Sequence, residues 1–374
     1  ARRHKRRSVS AAQFEVNYET NLIGLYEEIM NRTYTIAPST CFIVKEPVQR
    51  EVFAAEFRDR IVHHLVHGYL NPLCERMFIY DSYSCRKGKG TSLGKQRLNH
   101  FIRACSHNYT RECSVLKVDI LGYFMNMNKD ILYHKVVQVL DTYYTREAAF
   151  DRETVFWLIA TIIYNDPVTD CCIQGSVHDW DGLPRSKSLF HAETGNGFPI
   201  GNLTSQLFAN IYLHEFDWYM QHTLGCVYYG RYVDDIIIVH HDRDWLRRYI
   251  TYIQTYLDQK LGLTVHPHKI YLQTYRHGVA FLGEIHKPRR RYVGARTRRS
   301  LYRAIQQWNK VLQTQQGVLC AEQVQRFVSS MNSYLGSIKH IQSYRWRKRM
   351  LLKLPPSVWQ YIGIYSSYSY VYIK

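Results

Sequence analysis

Two adjacent carboxylates, Asp234 and Asp235, lie within Tyr228-Tyr229-Gly230-Arg231-Tyr232-Val233-Asp234-Asp235-Ile236-Ile237-Ile238-Val239. The runs on either side are aromatic and β-branched, the composition of buried strands. One unpaired carboxylate is costly to bury, and two side by side repel each other. Two readings accommodate them: a polar hairpin turn with both acids in water, or a site that holds a divalent cation. A third acid bears on the choice. Asp119 closes the apolar run Val115-Leu116-Lys117-Val118-Asp119-Ile120, 115 positions before Asp234. If the two runs are neighbouring strands, three carboxylates converge, and hard oxygen donors of this kind suit Mg²⁺. A pair of such ions supports in-line phosphoryl transfer, one activating the attacking oxygen and the other stabilising the leaving one.

Other polar groups carry weaker signals. Asp81 to Thr91 holds Arg86, Lys87 and Lys89 with Gly88 and Gly90, a mobile basic loop whose backbone can approach phosphates. It lacks the GxxxxGK[ST] spacing of a Walker loop, and a solvated turn explains it equally well. His63, His64 and His67 share one turn of an expected helix, where ordinary surface or polar-core histidines outweigh a metal site. Nine cysteines without CxxC spacing fit free thiols in a reducing compartment. A zinc site from Cys171, Cys172, His178 and His191 is the outlying alternative.

These groups need elements to place them. Apolar spacing predicts helices over 14–33, 51–70, 93–105, 129–165, 202–221 and 245–261. Strands are expected at 41–44, 115–120, on both sides of Asp234-Asp235, and as a pair over 279–285. Residues 263–272 read as extended and carry Lys269. The stretch 166–197 reads as an irregular loop leading into Phe198-Pro199-Ile200-Gly201-Asn202-Leu203-Thr204-Ser205-Gln206. After Lys287-Pro288-Arg289-Arg290-Arg291 the pattern turns helical and basic, over 297–316, 321–335 and 338–354. A Tyr/Ser-rich tail, 366–374, reads as a final strand.

Lys and Arg outnumber Asp and Glu by 49 to 31, a net charge of +18, which predicts a polyanionic partner and favours nucleic acid over membrane. No apolar run approaches the ~20 residues of a membrane span, and the N-terminus Ala1-Arg2-Arg3-His4-Lys5-Arg6-Arg7 lacks the apolar core of a secretory signal. That terminus reads equally as a basic arm on nucleic acid or a solvated tail. Abundant tyrosine, 31 residues, suits base stacking as well as core filling.

Taken in order, these motifs resemble those of the reverse transcriptases, and most of all those of diversity-generating retroelements. Asp119-Ile120-Leu121-Gly122-Tyr123-Phe124 resembles the motif supplying the first metal-binding Asp. Pro199 to Gln206 resembles the template- and nucleotide-contacting motif, with Ile200-Gly201 where many relatives carry Gln-Gly. Tyr232-Val233-Asp234-Asp235 is similar to the catalytic box and Phe281-Leu282-Gly283 to the primer grip. The likeness runs from about residue 40 to 350, with Ser82-Tyr83 upstream and Gly336-Ser337-Ile338-Lys339-His340 downstream fitting the same group.

The resemblance implies an α+β right-hand polymerase. Fingers cover 1–110, a palm of antiparallel strands 111–290 with an insertion near 150–198, a helical thumb 291–354 and a tail 355–374. It implies two Mg²⁺ ions, with Mn²⁺ as an alternative, held by Asp119, Asp234 and the Ile120 carbonyl, with Asp235 in support. Arg86, Lys87, Lys89, Phe124, Ile200, Gly201, Gln206 and Lys269 are the expected nucleotide contacts. Phe124 would exclude a 2′-hydroxyl, and Lys269 either donates a proton to pyrophosphate or forms a salt bridge. Implied partners are dNTPs, a template-repeat RNA with its RNA/cDNA duplex, and a small basic helical accessory protein that assembles as a ring. Error-prone copying opposite adenine is the implied outcome, in the cytoplasm of a bacterium or from a phage gene. The competing readings are an RNA-dependent RNA polymerase, a defence-associated or intron-type reverse transcriptase, and a non-catalytic RNA-binding module.

Overall fold

A computed structural model describes residues 1–2, 9–46, 48–143 and 151–374. The basic segment 3–8 and residues 144–150 of the expected helix 129–165 lie outside the described residues. The chain divides by packing into two units, residues 1–98 with 116–272 and residues 99–115 with 273–374.

The first unit begins with helices α1 (Val9–Val16) and α2 (Tyr18–Met30), which split the single helix expected over 14–33 at Asn17. Strand β1 (Thr40–Val44) follows, then β2 (Arg50–Ala54) and helix α3 (Phe57–Met77). The helix expected from Glu51 therefore starts six residues later. Phe53 and Phe57 share a helical spacing, but Arg50–Ala54 buries alternate residues and pairs antiparallel with β1, Cys41 opposite Phe53. Short apolar runs do not distinguish the two periods. Next come α4 (Thr91–Cys105), β3 (Ser114–Asp119), the short helix α5 (Tyr123–Asn126), α6 (Lys129–Tyr143) and α7 (Arg152–Tyr164). The boundary between the units passes through α4 and β3. The expected loop 166–197 carries three short 3₁₀ turns and β4 (Cys172–Ile173), which adds parallel to β1. It is anchored by buried Glu51, which accepts hydrogen bonds from Trp180 Nε1 at 2.7 Å, Ser188 Oγ at 2.8 Å and the Leu189 amide at 2.5 Å.

Helix α8 (Leu203–Tyr212) is buried on nearly every side, with α3 and α6 against it. Its start is consequently fixed in space. Helix α9 (His214–Trp218) and a π turn complete the helix expected to run to 221. The hairpin β5 (Tyr229–Tyr232) and β6 (Asp235–His240) then leads into α10 (Arg243–Leu261), capped by Asp242 at its start and by left-handed Gly262 at its end. With β7 (Tyr271–Thr274) the strands form one sheet in the order β5-β6-β3-β7.

The second unit holds the antiparallel sheet of β8 (Val279–Phe281), β9 (Glu284–Lys287) and β10 (Arg290–Val293). Helices α11 (Ala295–Thr314), α12 (Ala321–Ile338) and α13 (Tyr344–Leu351) share a core around Leu301, Phe327, Met331 and Leu335. The tail forms β11 (Ile362–Ile364) and β12 (Val371–Ile373), paired with each other. Among the described residues no helix is long and apolar enough to cross a membrane.

Candidate active site

The two adjacent acids sit at a hairpin turn after all. Tyr232 pairs with Asp235, so Val233 and Asp234 are the two turn residues. Val233 has φ 55°, a left-handed conformation that β-branched side chains rarely adopt and that glycine usually supplies at this turn position. Such a conformation costs about 1–3 kcal/mol and persists only where its surroundings enforce it.

The enforcing group is Arg231. Its guanidinium is fully buried, bridges both oxygens of Asp217 at 2.7 and 2.6 Å, and donates to the Val233 carbonyl at 2.9 Å. Tyr229 donates to the same Asp217 at 2.5 Å. Burial opposes the charge on Arg231, but the Asp217 carboxylate outweighs it and raises the guanidinium pKa above its ordinary value. The backbone of Arg231 is clamped as well, its amide to the Asp81 carbonyl and its carbonyl to the Tyr83 amide, both at 2.9 Å. Sequence reasoning passed over Arg231 and Asp217. A charged residue facing inward on an otherwise apolar strand was the available signal.

Asp119 ends β3, the strand beside β6, so the expected neighbours are neighbours. Asp234 registers both other acids: burial, then Asp119, then Asp235 push its carboxyl up to about 6. The other two face lysines. Lys269 Nζ lies 2.8 Å from Asp119 Oδ1, the salt-bridging alternative read for that lysine. Lys117, two residues before Asp119 on β3, lies 2.9 Å from Asp235 Oδ1 and was not singled out from sequence. Among the described residues no group of three or more His, Cys, Asp and Glu is arranged to hold a metal ion. That covers the triple-acid convergence and the Cys171, Cys172, His178 and His191 set alike.

The donor chemistry of Asp119 and Asp234 nevertheless fits a hard cation. A bound cation would relieve the repulsion that raises Asp234. The bridge between Ile120 and Val265 uses the Asp119 carbonyl and the Leu121 amide. By strand alternation the Ile120 carbonyl therefore faces the β6 side.

Phe124 and Ile200 are brought together, both half-buried against a cluster of Cys41, Phe53, Met125 and Leu189. The Ile200 carbonyl accepts from the Phe53 amide and the Phe124 carbonyl from the Phe198 amide, at 2.9 and 2.8 Å. Gly201 follows at φ 138°, and a Cβ there would stand 2.5 Å from the Phe53 carbonyl oxygen. Only glycine fits this approach to β2. Gly201→Ala is expected to cost about 1–3 kcal/mol, read as a lowered urea midpoint. Gln206 is exposed on α8, and Thr204 beside it is hydrogen-bonded to His63 Nδ1 at 2.8 Å. Burial depresses His63 to about 4, so this histidine is a neutral core partner of the motif.

The basic loop is tied down rather than mobile. Arg86, with a side chain 5% exposed, chelates Glu75 and donates to the Ile79 and Ser82 carbonyls at 2.7 and 2.9 Å. Its donors are committed to shaping the loop. Lys89 donates to the Tyr80 carbonyl at 2.9 Å and lies 3.3 Å from the Tyr80 ring centroid. Lys87 is the exposed cation of the three. In the second unit, Phe281 is buried and Leu282 and Gly283 form the two-residue turn of β8 and β9, with φ 46° and 85°. A leucine held in that conformation makes this turn locally strained in the way that Val233 is.

Residues 49–286, more than half of the chain, match the family described as reverse transcriptase (RNA-dependent DNA polymerase). The chain belongs to the reverse transcriptase family. Its match spans β2 through β9 and takes in Asp119, the Ile200-Gly201 motif, Asp234-Asp235 and Phe281-Leu282-Gly283. No curated protein matches the chain. Among solved structures it is similar to an apo telomerase from Candida Tropicalis truncated from its C-terminal domain. That likeness has 14% identity over 73% of this chain and 60% of that one, with a TM-score of 0.46. A telomerase from Candida albicans in complex with a TWJ fragment of telomeric RNA aligns at 11% identity over 91% and 65%, with a TM-score of 0.47. A second apo telomerase from Candida Tropicalis aligns over 68% of this chain but only 47% of its own, so the chain covers less than two thirds of these telomerase chains.

Proposed function

We propose that this member of the reverse transcriptase family extends a primer on a template RNA, and that it does so with low fidelity opposite adenine for targeted sequence diversification. The observation that carries the polymerase reading is the placement of Asp119 at the end of β3, beside the strand that follows the Val233-Asp234 turn. Asp119, Asp234 and the Ile120 carbonyl would hold Mg²⁺, which when bound neutralises charge on the reacting phosphate. Asp235, held by Lys117, supports the site from the side. Lys269 neutralises Asp119 and thereby keeps two like charges from meeting unopposed. Phe124, which packs on the same cluster as Ile200, would meet the sugar of an incoming dNTP and exclude a 2′-hydroxyl.

The low-fidelity reading is supported by Ile200. An apolar side chain there offers the nascent base pair shape but no hydrogen bond, and selectivity depends on contacts available only to the correct geometry. Ile200→Gln is expected to lower errors opposite adenine by about two- to ten-fold, the scale of one net hydrogen bond. An unchanged error spectrum in a sequenced cDNA pool would remove the role given to Ile200. The partner reading, a small basic accessory protein and a template-repeat RNA, rests on the motif resemblance. Sequencing the products of the purified chain on a structured RNA, with and without that accessory protein, tests both. Faithful cDNA under both conditions overturns diversification while leaving the polymerase intact.

A further inference from the structure

Nearly all of the chain's excess charge lies at its end. From Ile285 to Lys374 there are 17 Lys and Arg against one acidic residue, Glu322, which is +16 of the total +18. Past the residues that match the family, this stretch ends in the β11–β12 hairpin. The hairpin is firmly seated. Asn332 of α12 donates to the Val371 carbonyl and accepts from the Val371 amide, each at 2.8 Å. Arg347 of α13, itself buried, donates to the Tyr368 and Ser367 carbonyls of the connecting loop at 2.9 and 3.0 Å.

What this seated hairpin presents is a row of open aromatic rings. Tyr365 and Tyr370 stack with centroids 4.8 Å apart and planes at 15°. Tyr372, 6.4 Å from Tyr370, lies across Gly363, where any Cβ would collide with its ring. The three are 49%, 43% and 47% exposed. Exposed cations line the adjoining helix: Arg345, Lys348 and Arg349 on α13, with Lys348 Nζ 5.9 Å from the Tyr368 ring. Strand propensity accounts for tyrosines in a hairpin but leaves this stacked outer face without a use.

We propose that the β11–β12 hairpin and the outer face of α13 form a stacking platform for single-stranded RNA. Rings interleaved with cations suit unpaired bases on a phosphate backbone, and a duplex offers no open base faces to them. A second copy of this chain would bring the same positive charge and be repelled. The polymerase reading enters only in choosing RNA over DNA as the strand.

The test uses the full chain without dNTPs, an iodouridine-substituted single-stranded RNA oligomer and ultraviolet crosslinking. The expected adducts fall on Tyr365, Tyr370 or Tyr372. Adducts confined to other peptides overturn the proposal, and this arm needs no variant to fold. In fluorescence anisotropy, Tyr365→Ala with Tyr370→Ala is expected to weaken RNA binding about ten-fold, while the paired Phe substitutions keep it. Unchanged binding by the Ala pair, or equal losses for Phe and Ala, overturns stacking. An identical loss with a DNA oligomer of the same sequence overturns the assignment to RNA. Primer extension by wild type is scored separately, so failure of the platform and failure of the polymerase reading are distinguishable.

Discussion

Asp234→Asn is expected to lower primer extension on a primed RNA by about a thousand-fold, the scale on which single preorganised charge-stabilising groups act. Asparagine keeps the size of the side chain and the two-residue turn, so the hairpin should survive. It removes one of three mutually repelling charges, and with it an anionic donor for a hard cation. The fold should gain rather than lose. Burial and the charges of Asp119 and Asp235 raise Asp234 from 3.8 to about 6. Below about 3.8 the group is protonated in both the folded and unfolded states, and the wild type suffers no penalty. Above about 6 it is ionised in both, and the folded state bears the full cost of the buried charge. The melting temperature of the Asn variant should therefore pull ahead of wild type as pH rises from about 4 to about 6. Thermal melts across that range, RNA binding by anisotropy and extension of a labelled primer form the test. Wild-type extension by the folded variant would remove Asp234 from the chemistry.

Arg231→Met is expected to destabilise the chain by about 3–5 kcal/mol, because it removes the cationic partner of the buried Asp217. Arg231→Lys is the sharper experiment. Lysine keeps the charge but cannot bridge both Asp217 oxygens and also hold the Val233 carbonyl, since it lacks the planar fork. The turn would then relax out of the φ 55° conformation, and the carboxylate that follows Val233 would move with it. The expected result is a folded protein whose extension falls about ten- to a hundred-fold and whose half-saturating Mg²⁺ concentration rises. A structural role alone would lower the melting temperature and leave the Mg²⁺ dependence unchanged. Asp217→Asn should shift the Mg²⁺ dependence in the same direction, because it loosens the same guanidinium.

Much of the site was legible because its chemistry sits in short contiguous motifs. Asp119 and Asp234-Asp235 stand out because carboxylates on apolar strands are costly, and Ile200-Gly201 because glycine before a helix marks a close approach. A side chain's partner is not legible where it is remote in the chain. Arg86 belongs to a basic loop by composition, and only Glu75 with two carbonyls shows that its donors are committed. Lys117 is unremarkable in sequence, yet it faces Asp235, as Lys269 faces Asp119. The strand at Arg50–Ala54 was read as helix because one pair of phenylalanines fits both periods.

The sequence by itself determined that the chain carries polymerase motifs in order, that its strands would be flanked by helices, and that its end is basic. Residue type and spacing suffice for such statements, since they depend on local period and on the cost of isolated charge. Tertiary structure decided which acid faces which lysine, and that Asp234 sits in a turn held by Arg231, itself paired with Asp217. Those contacts join residues from separate strands and helices. Their energies depend on burial and on distances of a few tenths of an ångström, which no spacing along the chain encodes.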